Sequence, residues 1–214
     1  MESSPILVCF AVKEEAKFFN PQSPDSKIVP VITGMGQPNA AAAIQRAVAD
    51  LKPRLVITAG FAGGLNSQLK LGTVVFDEDS SAGLRDKLLA AGAIAGTFHC
   101  AQRVVVTAAE KRALHQATGA DAVEMESSVI RDFCHQQQIP SATIRVISDA
   151  ANEDLPLDFN ALMTANNQIN FVKLAGKLLL GPQKIPQLLR FQKQTMLAAR
   201  NLAKVLEQSL LNRA

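Results

Sequence analysis

The chain has no tryptophan and no tyrosine, so any ring that stacks on a ligand must come from its ten phenylalanines. It has only three cysteines, Cys9, Cys100 and Cys134, and none forms a C-x-x-C pair. Cys9 and Cys134 lie in apolar patterns, and an odd set of buried-looking thiols fits a reducing compartment, here the cytoplasm. The three histidines, His99, His115 and His135, share no ligand spacing, so the pattern points to no metal site and no redox centre. Charge of one sign is also scarce. A net charge of +3 over 214 residues implies neither a nucleic-acid binder nor an acid-rich surface. No apolar run approaches a membrane span, and the opening MESSPILVCFAVKEE lacks the basic n-region of a signal peptide.

What is present is an alternation of short apolar runs and helical patterns. Hydrophobic residues make up 48% and charged residues 19%, enough for a substantial core in one domain over residues 1–214. Ile6 to Val12 reads as a buried strand, followed by Lys13-Glu14-Glu15 at the start of a short helix. Ile28 to Thr33 is a second strand, ending in Gly34-Met35-Gly36. Pro38 then opens an Ala-rich helix, Asn39 to Leu51. Arg54 to Ala59 is a third strand and runs into a Gly-rich loop, Gly60 to Leu65. Thr73 to Phe76 is a fourth strand. Residues 77–103 carry little pattern beyond mild helicity near Leu84 to Leu89. Arg103 to Thr107 reads as a strand, Ala108 to Thr118 as a helix, Phe159 to Leu180 as helical, and Ile185 to Leu211 as a long amphipathic helix with a basic polar face. Strands alternating with helices indicate an α/β domain with helices on both faces.

The richest stretch is AVEMESSVIRDFCHQQQIPSATIRVISDAA, Ala122 to Ala151. Glu124, Met125 and Glu126 precede a helix over 127–137, which Ile139-Pro140 stops. A β-branched run, Ala142 to Ile147, then ends in Asp149. In an open α/β sheet, ligands collect at the carboxyl ends of strands. An acid there is either the N-cap of a helix beginning after residue 149 or a working group, and these residues alone leave both open.

Three stretches together resemble the nucleoside phosphorylase/nucleosidase superfamily. They are FAVKEEAKFF (10–19), TGMGQPNAAAA (33–43) with TAGFAGGLNSQLKLGTVV (58–75), and VEMES…IRVISDAA (123–151). Among its members they look most like the nucleosidases that cleave methylthioadenosine and S-adenosylhomocysteine. The resemblance implies a three-layer α/β/α sandwich around a mixed, mostly parallel sheet. RVVVTAAEKRALHQATGADAVEMES, Leu155-Pro156 and KIPQLLRF further resemble the hopanoid-associated phosphorylase branch, linked to removal of adenine from adenosylhopane.

By resemblance, Asp149 matches the general acid that delivers a proton to purine N7, and burial at a strand end would help it hold one. Glu126 matches the carboxylate that accepts hydrogen bonds from the ribose hydroxyls, and Met125 the residue packed on the sugar and base. Glu15 matches the water-activating carboxylate, with Glu14 as a surface acid one position earlier. Met35, Gly36, Phe61, Ala62, Gly63, Val123, Glu124, Ser148 and Phe159 match positions around the base and pocket, with Glu124 the one that could face away. No Arg sits in the second Gly-rich stretch, where family phosphorylases bind phosphate, so water is the expected nucleophile unless Arg85 or Arg103 folds in. The implied activity is hydrolysis of a 5′-substituted adenosine, with no cofactor. A phosphorylase and an inactive nucleoside-binding module are the alternatives. The shortness of residues 77–103 predicts an open, apolar wall around the ribose 5′ position. A homodimer is expected. The C-terminal helix is read as packing on the sheet or on a second subunit in preference to a membrane surface.

Overall fold

The computed structural model describes residues 4–21, 27–164 and 182–211. Its frame is one sheet with the order β2 (Ile28–Ile32), β1 (Ile6–Phe10), β3 (Leu55–Gly64), β8 (Ser141–Asp149), β4 (Val74–Glu78), β5 (Ile94–Ala95). The neighbours β2–β1–β3–β8 run parallel, while β4 lies antiparallel to β8. Two short strands, β6 (Phe98–Cys100) and β7 (Ala122–Glu124), hang from the far end of β3 through the antiparallel pair Gly63↔Val123. The sheet is therefore mixed and mostly parallel, as the sequence implied.

Helices cover both faces because the central strands are apolar on both. On one face α2 (Gln37–Leu51) and α5 (Ser127–Gln136) pack Ala40, Ile44, Ile130 and Cys134 against Leu7, Cys9 and Val56. On the other, the C-terminal half of α6 (Ile185–Leu211) packs Ala198, Leu202, Val205 and Leu206 against Val8, Ile57, Ile144 and Val146, beside α3 (Arg85–Ala90). The C-terminal helix thus packs on the sheet. Among the described residues no helix is long and apolar enough to cross a membrane.

Two expectations fail here. The Gly-rich stretch after Ala59 is not a loop: β3 continues through Gly64, paired with β8 on one side and β7 on the other. Residues 103–107 form no strand. Their backbone is satisfied elsewhere, because the Asn160 amide bonds both the N–H and C=O of Val104, and Glu110 accepts from the N–H groups of Val106 and Thr107. The second of these contacts closes a capping box at the start of α4 (Ala108–Thr118), whose bounds agree with the sequence reading. The helix expected over 159–180 begins as a single short turn, Asn160–Leu162, and residues 165–181 lie outside the described residues.

Candidate active site

The carboxyl ends of β1, β3 and β8 open onto one cavity of about 690 Å³. Its floor is polar. Glu15 sits in α1 (Lys13–Ala16), one turn past the end of β1, and is buried while its neighbour Glu14 is exposed. Three backbone amides hold its carboxylate: Ala11 N–H at 2.8 Å and Val12 N–H at 3.1 Å donate to Oε2, and Phe61 N–H at 2.8 Å donates to Oε1. This contact explains Gly60. A Cβ there would lie 2.4 Å from Glu15 Oε1 and 2.6 Å from Arg145 Nη1, so the strand must have no side chain at that point.

Arg145 is one residue that sequence reasoning missed. It lies in the middle of β8, 1% exposed, among carboxylates. Its Nη2 donates to Glu124 Oε2 at 2.6 Å, to Thr58 Oγ1 at 2.9 Å and to Glu126 Oε2 at 3.5 Å. A signal for it exists. Arginine is almost never fully buried unless paired, and an Arg inside an apolar strand close to a Glu-Met-Glu motif needs those acids.

The two acids of that motif divide the work. Glu124 is fully committed: Oε2 also accepts from the N–H groups of Glu126 and Ser127, and Oε1 accepts from Ser127 Oγ at 2.6 Å. It thereby closes the N-terminus of α5, where a negative charge is favoured. Burial pushes its carboxyl up, but Arg145 and Ser127 outweigh that and hold it below the usual range. Glu124 therefore lines the cavity with both oxygens spoken for. Glu126 is different. Burial raises its carboxyl above the ordinary value, with the charge of Glu124 adding and Arg145 opposing. Gly36 N–H donates to its Oε1 at 2.8 Å. Gly36, expected to line the pocket, is instead behind it, because its amide is turned toward this carboxylate; Gly34 and Met35 take the wall. Burial likewise pushes Glu15 up to about 7, against Arg145 and with Glu126. A carboxylate with that affinity can take a proton near neutral pH.

Asp149 closes the opposite side. The pairing of β3 with β8 passes from Ala62↔Ile147 directly to Gly63↔Asp149, which leaves Ser148 as an extra residue. A bulge of this kind re-aims the chain at a strand end, and both Ser148 and Asp149 reach the cavity. Ser148 Oγ donates to Asp149 Oδ1 at 2.7 Å, and Lys111 of α4 donates to Oδ2 at 2.5 Å. Of the two roles open to Asp149 in the sequence, the helix cap is removed. No helix comes directly after it, and it sits on the cavity.

The remaining wall is mostly apolar. Phe61, Ala62, Gly63, Val123, Met125 and Met35 line the inner part, as the sequence suggested. A second part, the outer wall, comes from the segment before α4, the chain after β8 and the side of α6: Val104, Val105, Leu155, Phe159, Met163 and Phe191, with Arg103 and Thr195 among them, and of these only Phe159 was expected to line the pocket. Phe159 and Phe191 pack ring against ring with centroids 5.8 Å apart, which ties α6 to the mouth of the cavity. No described residue between 77 and 102 faces the cavity. Of the two arginines considered for phosphate, Arg85 lies over the Phe76 ring and Arg103 stands at the mouth, paired to Glu110 at 2.6 Å. Among the described residues no group of three or more acidic, His or Cys side chains is placed to hold a metal ion.

Comparisons with known proteins agree with this architecture. The family model described as the phosphorylase superfamily matches residues 9–80 and 76–180. A 5′-methylthioadenosine/S-adenosylhomocysteine nucleosidase of Staphylococcus aureus is 24% identical over 180 residues, covering 69% of this chain and 79% of its own length. The nucleosidase of that name from Colwellia psychrerythraea, solved with adenine, superposes with a TM-score of 0.70 at 18% identity over 97% of this chain and 95% of its own. The one from Neisseria meningitidis, bound to methylthio-immucillin-A, gives 0.68 at 20% identity over 96% and 97%. Futalosine hydrolase of Helicobacter pylori gives 0.66 at 16% identity over 95% and 97%.

Proposed function

The chain belongs to the phosphorylase superfamily, and we propose that within it this protein is a purine nucleosidase, splitting the N-glycosidic bond of a 5′-substituted adenosine with water and releasing adenine. The reading rests on one observation: Glu15, Glu126 and Asp149, 134 residues apart at the extremes, line the same cavity.

Cleavage requires a proton on the departing base, a grip on the sugar as positive charge develops in it, and a nucleophile on the opposite face. Asp149 supplies the proton to purine N7. Glu126, with an oxygen near Arg145 and the other on Gly36 N–H, accepts from the ribose hydroxyls. Glu15, with a proton affinity near 7, takes a proton from the water that attacks C1′. Met125 and Phe159 flank the sugar and base. The water's oxygen ends on C1′, its proton on Glu15, and the bonding pair on the purine, neutralised by the proton from Asp149.

Water is favoured over phosphate by the charge balance of the floor. One guanidinium, Arg145, faces Glu15, Glu124 and Glu126 and is already hydrogen-bonded to two of them. A phosphate dianion there would meet repulsion where it needs free cationic donors. The apolar outer wall suits an apolar 5′ substituent, such as the methylthio group or the larger tail of adenosylhopane. S-adenosylhomocysteine carries a charged end that would have to reach past this wall to solvent. The protein is expected to work as a homodimer in the cytoplasm.

Adenine release from methylthioadenosine, followed for the native protein, Glu15→Gln and Asp149→Asn, tests the assignment. The native protein should turn over and both variants should be nearly inactive. Undiminished turnover in both variants would remove these acids from the mechanism, and binding without turnover by the native protein would make it a nucleoside-binding module.

A further inference from the structure

The α4 helix lies outside the sheet, yet it sends one charged atom into the site. Lys111 is 0% exposed. Its ammonium donates to Asp149 Oδ2 at 2.5 Å, to the Glu153 carbonyl at 2.8 Å and to the Ala150 carbonyl at 2.9 Å. All three partners are acceptors. An ammonium has three N–H groups to give them, whereas a neutral amine would turn its lone pair toward one of the oxygens. The arrangement therefore calls for the charged lysine. Ser148 Oγ donates to the other oxygen of Asp149, so both oxygens face donors, the pattern that suits the carboxylate left once the proton has been given up.

We propose that Lys111 is a positioning residue for base protonation: it fixes the Asp149 carboxyl in place at the cavity and balances the negative charge left on it once its proton has passed to the leaving purine. This rests on the role given to Asp149 above. The other charged groups lining the same cavity are Glu14 and Glu15 of α1, Arg103 in the segment before α4, and Glu124 and Glu126 before α5, the last two paired with Arg145 of β8. Glu153, in the loop after β8, has its carboxylate engaged with Ala150 N–H and with Arg190 of α6. Among the described residues, Lys111 alone forms an ion pair with Asp149.

The same lysine also ties α4 to the loop after β8, so loss of stability on its removal would not distinguish a staple from a charge-setting group. The pH profile does. Turnover of methylthioadenosine should be measured from pH 5 to 9 for the native protein, Lys111→Met, Lys111→Gln and Asp149→Asn. The position of the high-pH limb of kcat does not depend on how much protein is folded, and Gln keeps a donor toward Asp149 without the charge. Both lysine variants should show that limb moved to higher pH, the direction for a carboxylate losing a cationic neighbour, together with a lower plateau. A limb unmoved in both, with Asp149→Asn inactive, overturns the proposal while leaving the role of Asp149 intact. An active Asp149→Asn overturns that role instead.

Discussion

The floor of the cavity and its outer wall are built on different principles. The floor stands on the ends of β1, β3 and β8, where every catalytic candidate is buried and gripped by backbone amides or by an opposite charge: Glu15 by three N–H groups, Glu126 by Gly36 and Arg145, Asp149 by Lys111 and Ser148. The outer wall stands on an irregular segment, a loop and the side of α6: apolar side chains face the cavity, Phe159 packs on Phe191, and the Asn160 amide holds the backbone of Val104. Chemistry that must be placed to within a fraction of an ångström belongs on rigid elements. Recognition of an apolar substituent tolerates repacking and can be left to loops. The floor should therefore control the rate and the wall should control which substrate is held.

The sharpest way to break that division is to remove a floor carboxylate. Glu15→Gln should lower kcat by about 10²–10⁴-fold, as expected for loss of a positioned base, with little change in KM. Because Glu15 titrates near 7 and a base works only when ionised, native kcat/KM should rise with pH through that value; a rate already flat at pH 5 would contradict its role. Arg145→Met comes next and acts through stability. It leaves Glu15, Glu124 and Glu126 buried together without their cation, and breaking a buried pair in this way costs about 3–5 kcal/mol, to be read as a lowered denaturation midpoint. On the wall, Phe191→Ala should raise KM for a substrate with an apolar 5′ substituent by about tenfold, the effect of losing part of an apolar pocket, and leave kcat for unsubstituted adenosine nearly unchanged. A large fall in kcat would mean that wall and floor are not separate. The smallest effect is expected at Glu14, which is exposed beside the buried Glu15: Glu14→Gln should stay within about twofold, as surface changes do.

The same division governs what the sequence discloses. The floor acids are legible because they sit in short motifs at strand ends that resemble the superfamily's, and matching Lys13-Glu14-Glu15 to its pattern chooses the buried one. Arg145 escapes such a reading because an apolar β-branched run passes for uniform core, although a charge inside such a run demands partners. Lys111 is hidden differently. In a helix that begins Ala-Ala-Glu-Lys-Arg, nothing local separates the lysine that turns inward from the arginine beside it, and only the placement of α4 against the end of β8 decides. The wall is the least legible part. Phe191 lies far along the chain in a helix whose apolar stripe reads as ordinary packing, and no local pattern says that its first half passes the cavity mouth. The glycines of β3 mislead for a related reason. Glycine normally punctuates loops, and here Gly60 instead makes room for Glu15 and Arg145.

The charge balance of the floor makes its most direct commitment about the nucleophile. With methylthioadenosine as substrate, adenine release should proceed at the same rate with and without inorganic phosphate, and ³¹P NMR of the phosphate-containing reaction should show no sugar phosphate ester. A rate that depends on phosphate, with the ester appearing in step with adenine, would contradict hydrolysis by a water activated at Glu15.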